Sequence, residues 1–124
     1  MINDLEEDER LINVLERLEQ DGYILCCATN SVRHSATIQL TRRGFIDHLE
    51  FVFTNQDVVN PKPNTEIYLR CMIKAGVSPK ETIILEDSEL GRKGARETGS
   101  SVLEIKDSAD VTYVKIRKFI ENVK

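Results

Sequence analysis

The stretch Thr82-Ile-Ile-Leu-Glu-Asp-Ser-Glu-Leu-Gly-Arg-Lys-Gly-Ala-Arg-Glu-Thr-Gly99 decides the fold of this chain. Its apolar residues lead directly into an adjacent Glu-Asp pair, and a glycine-bounded helix pattern follows. An apolar run without alternation is typical of a parallel strand buried on both faces. In open α/β sheets, ligands bind beyond the carboxyl ends of such strands. We therefore expect Glu86 and Asp87 to point into a crevice.

Two adjacent carboxylates that lose hydration repel each other and need a compensating charge or donor. Mg²⁺ suits this position, because it binds a few carboxylates and keeps waters for phosphate oxygens. The alternative is that Asp87 or Ser88 only caps the following helix, as both residue types commonly do. On these residues alone, a metal site and a helix cap both stay open.

Composition predicts an ordinary globular chain. With 124 residues and 40% hydrophobic content, we expect a single domain over residues 1–124 with one core. The net charge of −4 comes without an extended basic patch, so nucleic acid is not expected as a partner.

The cysteines and the amino terminus predict a cytoplasmic location. The three cysteines are odd in number, and Cys26 and Cys27 lie in an apolar run where cysteine behaves as a small buried hydrophobe. Adjacent strand residues point to opposite faces, which disfavours a disulfide or a shared metal between these two. Residues 1–10 are acidic and lack an apolar segment, so neither a signal peptide nor a membrane span is expected.

Helix and strand patterns alternate along the whole chain. The predicted helices cover residues 4–20, 31–43, 64–75, 89–98 and 111–122, and the predicted strands cover residues 23–28, 51–53, 82–85 and 101–105. Between them, Asn60-Pro-Lys-Pro63 cannot be helical, so Lys62 is expected on a rigid loop. The alternation predicts a three-layer α/β/α sandwich with a parallel, Rossmann-like sheet.

Polar residues follow the strands, and in a parallel sheet they share one edge. We expect this edge to carry Thr29, Asn30, Thr54, Asn55, Glu86 and Asp87, with Lys62 on its loop. Singly, each has an ordinary explanation: Thr29 as a strand-end residue, Asn30 as a helix cap and Lys62 as a solvated lysine. Together they offer a hydroxyl, an ammonium and carboxylates, which suit phosphate chemistry.

Three segments resemble the haloacid dehalogenase superfamily in order and spacing, most closely its phosphoglycolate phosphatase and β-phosphoglucomutase branch. They are Ile24-Leu-Cys-Cys-Ala-Thr-Asn-Ser31, Asn60-Pro-Lys-Pro63 with Tyr68, and Glu86-Asp-Ser-Glu-Leu-Gly91 followed by Gly94-Ala95 and Gly99. The resemblance implies a catalytic, substrate-binding hydroxyl at Thr29, a phosphate contact at Asn30 and a catalytic, substrate-binding lysine at Lys62. It also implies that Glu86 and Asp87 bind Mg²⁺.

One departure from the family outweighs the agreements. The first motif, an Asp-x-Asp after the first strand whose leading carboxylate attacks phosphorus, has no counterpart in these 124 residues. Asp4 and Asp8 lie in an acidic amphipathic segment and are poor substitutes. The helical cap is also missing, and Glu89 stands where relatives commonly have an uncharged residue. The expected identity is thus a truncated, carboxyl-terminal portion of a hydrolase acting on a small phosphorylated metabolite, inactive by itself.

Two other functions share part of this pattern. A non-catalytic domain could keep the fold to bind phosphate, metal or a protein partner. A two-component receiver domain is excluded, because receivers place their acids before the hydroxyl and the lysine, whereas this chain places them after.

The missing first strand leads to an expectation about the sheet. In the superfamily this strand lies between those corresponding to residues 23–28 and 83–85, so its absence exposes two strand edges. Unsatisfied buried backbone groups cost roughly 1–3 kcal/mol each. We therefore expect residues 23–28 to pair directly with residues 83–85, or the edges to pair between chains in a homodimer, with direct pairing favoured.

Overall fold

Helices and short strands alternate over residues 6–123, which are the residues that the computed structural model describes. The elements are α1 (Glu9–Gln20), β1 (Cys26–Ala28), α2 (Arg33–Arg43), β2 (Phe51–Phe53), α3 (Glu66–Ala75), β3 (Ile83–Glu86), α4 (Glu89–Glu97), β4 (Ser101–Glu104) and α5 (Tyr113–Val123). The α/β class is confirmed, and most bounds lie within two residues of the predicted ones.

The chain divides into two compact units, of which the first ends at Asp57 and the second begins at Val58. Each unit contains a two-stranded parallel sheet, β1 with β2 and β3 with β4. A single domain over residues 1–124 stays a prediction.

The expected direct pairing of residues 23–28 with residues 83–85 is wrong for the described part of the chain. There β1 pairs with β2 and β3 pairs with β4. Each pair joins two strands that are consecutive in the chain, with α2 between β1 and β2 and α4 between β3 and β4, and such local pairing is the common outcome in α/β chains.

The first unit begins with an amphipathic helix. Asp8 precedes α1, and its Oδ1 accepts a hydrogen bond from Leu11 N at 3.0 Å, so the helix starts at Glu9. The first part of the predicted helix, residues 4 and 5, lies outside the described residues. The apolar face of α1 buries Leu11, Val14 and Leu18.

The strand predicted over residues 23–28 is shorter and less buried than expected. Tyr23 N donates to Leu18 O at 3.2 Å, so the first residues of the run complete the end of α1 instead of joining the sheet. Consequently Tyr23 and Ile24 are 37% and 51% exposed. Cys26 is also exposed and Cys27 is only half-buried, so the expectation of two buried cysteines is wrong.

The second unit holds more of the described core. Buried side chains come from α3 (Ile67, Tyr68, Cys71, Met72), α4 (Ala95), β4 (Leu103) and α5 (Ile116, Ile120). Gly76, at φ 74°, ends α3 in the left-handed conformation that glycine favours. The expectation that the β3 run is buried on both faces is wrong, because its apolar residues are half-buried in a sheet of only two strands.

Within residues 6–123, no helix combines the length and apolar character needed to cross a membrane.

Candidate active site

The carboxylate of Glu86, the last residue of β3, is the centre of a buried charged cluster. Glu86 is only 7% exposed. Its Oε2 accepts a hydrogen bond from Lys62 Nζ at 2.6 Å and another from the Tyr68 hydroxyl at 2.5 Å. The ion pair offsets the cost of burying a charge, and the hydroxyl satisfies a further lone pair.

The loop of residues 60–63, here called the Lys62 loop, packs against helix α4 at Gly94. A Cβ atom on Gly94 would overlap the carbonyl oxygen of Pro63. Because that obstacle is backbone, only glycine allows the loop to approach the helix this closely. The Lys62-Pro63 peptide is cis. The predicted non-helical character of residues 60–63 is confirmed.

Glu66 fixes the other end of the same loop. Its carboxylate accepts hydrogen bonds from Asn60 N at 2.9 Å and Val59 N at 3.1 Å, and pairs with Arg70 Nε at 2.7 Å. These bonds, led by that from Asn60 N–H, lower the pKa of Glu66 from 4.5 to about 2. The residue that begins α3 thus orders the loop that carries Lys62.

Tyr68 is a site residue whose role the sequence did not reveal. The helical pattern placed it correctly on the buried face of α3, and it is 3% exposed. Its hydroxyl lies 2.5 Å from Glu86 Oε2 and 3.0 Å from Gly91 O. Burial raises the pKa of Tyr68 above its usual range, and the hydrogen bond to Glu86 raises it further. The available signal was that a tyrosine in a buried stripe needs a polar partner.

The two acids of the Glu-Asp pair lie in different environments. Asp87 is exposed, and its carboxylate makes no hydrogen bond or ion pair with residues 6–123. Ser88 caps α4, because its Oγ accepts from Gly91 N at 3.0 Å. The cap alternative is therefore confirmed for Ser88 and leaves the Asp87 side chain without a structural role.

Arg92 and Glu89 complete the first turns of α4. Arg92 Nη2 donates to Ile105 O at 3.2 Å and to Asp87 O at 3.4 Å, so it ties together the ends of β3 and β4. Glu89 is highly exposed and lies 3.7 Å from Arg92 Nη1.

The donor set at the end of β3 fits a hard divalent cation in part. Glu86 Oε1 and the Asp87 carboxylate accept no hydrogen bond from the described residues. One or two carboxylates are what Mg²⁺ usually takes from a protein. No cluster of three or more His, Cys, Asp or Glu in residues 6–123 is arranged to hold a metal, so the remaining ligands would be waters or substrate oxygens.

In the first unit, Thr29 and Asn30 follow β1. Thr29 N donates to Phe53 O at 3.0 Å and extends the pairing with β2, while its Oγ1 accepts from Ser31 N at 3.1 Å. Thr29 is half-buried and Asn30 is exposed.

A second polar cluster follows β2. Thr54 is fully buried, and its N and Oγ1 donate to Asp57 Oδ2 at 2.7 and 3.1 Å. Arg33 Nη2 pairs with Asp57 Oδ1 at 2.5 Å and is the main cause of the lowered pKa of Asp57. The sequence pointed to Thr54 and Asn55 but missed Asp57 and Arg33, since their pairing joins residues 24 positions apart.

The structure thus brings together Lys62 and Glu86, adjacent to Asp87, in the second unit, and places Thr29 and Asn30 in the first. That Thr29 and Asn30 join Lys62, Glu86 and Asp87 in one site stays a prediction.

An α/β fold with a lysine bound to an acid at a strand's carboxyl end is the kind of scaffold found among phosphate-handling enzymes. Comparison with known proteins identifies the family to which this fold and site belong. Residues 3–105 match the family of haloacid dehalogenase-like hydrolases. The chain belongs to that family.

Relatives and solved structures agree with this assignment. The phosphorylated carbohydrates phosphatase of Thermotoga maritima is 27% identical over 77% of this chain and 44% of its own length. The HAD phosphatase structure from Thermococcus onnurineus has a TM-score of 0.79 and 27% identity, over 90% of this chain and 56% of that one. A putative β-phosphoglucomutase from Thermotoga maritima, at 22% identity, supports the fold alone, with a TM-score of 0.77 over 96% of this chain and 62% of that one. The chain therefore spans less than two-thirds of each of these proteins.

Proposed function

We propose that this chain is part of a Mg²⁺-dependent phosphoryl-transfer enzyme that acts on a small phosphorylated metabolite. The observation that carries the proposal is the Lys62–Glu86 pair at the carboxyl end of β3, with the exposed Asp87 carboxylate beside it. The Thermotoga relative, named as a phosphatase of phosphorylated carbohydrates, supports the substrate class.

Each residue has a defined task in this proposal. Lys62, held by Glu86, supplies a fixed positive charge that stabilises negative charge developing on phosphoryl oxygens. Thr29 Oγ1 and the Asn30 amide bind phosphate oxygens. Glu86 and Asp87 hold Mg²⁺, which when bound neutralises phosphate charge and orients the transferring group.

The attacking carboxylate is not among these 124 residues. The sequence contains no Asp-x-Asp, and the aspartyl-phosphate route needs a nucleophilic aspartate. In the proposal, that aspartate and the substrate-selecting cap belong to a segment outside this chain. The chain by itself binds but does not turn over substrate.

The direct test is an assay of the 124-residue chain with p-nitrophenyl phosphate and sugar phosphates in the presence of Mg²⁺. We expect no hydrolysis above that of a boiled sample. Turnover that requires Mg²⁺ and disappears in Asp87→Ala would contradict the inactivity, since it would place a nucleophile within the chain.

A non-catalytic domain is the second candidate. It is favoured by Glu86 Oε2, which is already saturated by Lys62 and Tyr68, as in a structural ion pair. Calorimetry with inorganic phosphate and Mg²⁺ separates the enzyme lineage from a non-catalytic domain in which this ion pair has only a structural role. Weakened binding in both Lys62→Met and Asp87→Asn supports the enzyme lineage, and unchanged binding in both supports the second candidate.

For partners and location, we propose a cytoplasmic protein that does not bind nucleic acid and can form a homodimer through its strand edges. The cysteines support the location, because none of the three forms a disulfide within residues 6–123. The net charge of −4 argues against binding to a polyanion such as nucleic acid. Analytical ultracentrifugation tests the dimer, which is contradicted if the chain sediments as a monomer at every concentration.

A further inference from the structure

The two oxygens of the Glu86 carboxylate are used unequally. Oε2 accepts both hydrogen bonds, from Lys62 Nζ and from the Tyr68 hydroxyl. Oε1 accepts none from the described residues. A carboxylate that binds a metal through one oxygen needs only that oxygen to be available. Because both hydrogen bonds are made to Oε2, Oε1 is available to a cation.

Oε1 occupies the space beside Gly91, which is open because glycine has no side chain. A Cβ atom on Gly91 would overlap both Oε1 and the carboxyl carbon of Glu86. Gly91 lies in the first turn of α4, and its carbonyl oxygen is 3.0 Å from the Tyr68 hydroxyl. The carboxylate is thus confined between the helix and the tyrosine.

Tyr68 and Lys62 fix Oε2 in different ways. The lysine supplies charge through a flexible chain of four carbons, whereas the tyrosine hydroxyl is carried by a rigid ring. That ring is buried with its neighbours Ile67, Cys71 and Met72 on α3. The position of the carboxylate is therefore set mainly by Tyr68, and its neutralisation by Lys62.

We infer that Tyr68 is a positioning residue for the metal site: by binding Glu86 Oε2, it holds the carboxylate beside Gly91 of α4 and leaves Oε1 to bind a divalent cation together with Asp87. The inference rests on the proposed function, since it requires Glu86 and Asp87 to bind Mg²⁺. Hydrogen-bond partners of metal ligands typically change metal affinity 10–100-fold when they are removed.

The test uses Mg²⁺ alone, without substrate. Calorimetric titration of the 124-residue chain gives the Mg²⁺ dissociation constant, and Tyr68→Phe should raise it about tenfold. Tyr113→Phe, a tyrosine at the start of α5, is the matched control and should leave it unchanged. Far-UV circular dichroism confirms that each variant is folded.

A second measurement leaves Tyr68 intact. The chain has three tyrosines and no tryptophan, so the variant carrying Tyr23→Phe and Tyr113→Phe reports Tyr68 emission alone. A cation on Oε1 withdraws electron density from the carboxylate and weakens its hydrogen bond from the hydroxyl. Mg²⁺ should therefore change this emission with the same midpoint as the calorimetric titration.

The outcomes separate the inference from the proposed function. If wild type does not bind Mg²⁺, or Asp87→Asn binds it as well as wild type does, the metal site itself is refuted. If Asp87→Asn weakens binding but Tyr68→Phe does not, only the role of Tyr68 is overturned. Emission that stays constant while calorimetry reports binding also overturns that role.

Discussion

The two units use the polar residues at their strand ends for different purposes. In the first unit, Thr29 and Asp57 accept hydrogen bonds from main-chain N–H groups two or three residues away and close the loops after β1 and β2, and Asp57 also pairs with the exposed Arg33. In the second unit, Lys62 and Glu86 are 24 residues apart in sequence and bond to each other where both side chains are largely buried. A polar residue after a parallel strand can thus serve either its own turn or a site.

Exposure distinguishes the Arg33–Asp57 pair of the first unit from the Lys62–Glu86 pair of the second. The Arg33 side chain is 51% exposed in its pair with Asp57, whereas the Lys62 and Glu86 side chains are 13% and 7% exposed. Solvent screens the first pair strongly and the second only weakly. Equivalent mutations in these two pairs should therefore have very different effects.

Removing the cation from each pair is the change with the largest expected effect. Lys62→Met leaves the Glu86 carboxylate buried without a counter-charge, which should lower the free energy of unfolding by about 3–5 kcal/mol. Arg33→Met, the matched change in the first unit, should cost about 0–1 kcal/mol. Urea unfolding monitored by circular dichroism measures both.

The double variant Lys62→Met with Glu86→Leu is the control for this interpretation. It removes both charges, so it should recover much of the stability that Lys62→Met loses. Equal losses for Lys62→Met and Arg33→Met would show that the contrast between the units is not energetic.

A methyl group at Gly94 should have the next largest effect. Gly94→Ala forces the backbone at Pro63 away from α4, and overpacking of this kind costs about 1–3 kcal/mol. Lys93→Ala, on the exposed side of the same helix, should change stability by less than about 0.5 kcal/mol. Thermal melting of both variants tests this, and a stabilised Gly94→Ala would contradict the close approach of loop and helix.

The pH dependence of the Lys62 loop should give the smallest effect. The pKa of Glu66 is about 2 in the folded chain against an ordinary value of 4.5, so the stability it contributes is complete above pH 4.5 and is lost as the pH falls towards 2. Glu66→Gln cannot ionise and lacks this contribution. The stability difference between wild type and variant should therefore shrink as the pH is lowered.

Urea unfolding at several pH values measures this difference. Asp57→Asn supplies the comparison in the first unit, where the pKa is also lowered and the same sign is expected. If the difference in unfolding free energy between wild type and Glu66→Gln grew as the pH was lowered, the loop would not depend on the Glu66 carboxylate.

Local chemistry explains which parts of the fold could be predicted. The helix ends at Gly44 and Gly76 could be predicted, because glycine readily adopts the left-handed conformation found there. The apolar run of β3 likewise predicted a strand that ends at the Glu86-Asp87 pair. The late start of β1, at Cys26 instead of Tyr23, could not be read from sequence, because Tyr23 bonds to the end of α1 in competition with strand pairing. The Tyr68 hydroxyl bond was hidden for a similar reason, since a helical stripe predicts burial but not the partner of a polar atom.

The close approach at Gly91 and Gly94 has a consequence for how α4 folds. A helix of nine residues is marginal in water, and two interior glycines each disfavour it further by roughly 1 kcal/mol relative to alanine. A peptide of this segment should be unstructured in isolation. The helix forms because the Glu86 carboxylate and the Lys62 loop occupy the spaces that its glycines leave, so secondary structure and site assemble as one cooperative folding unit.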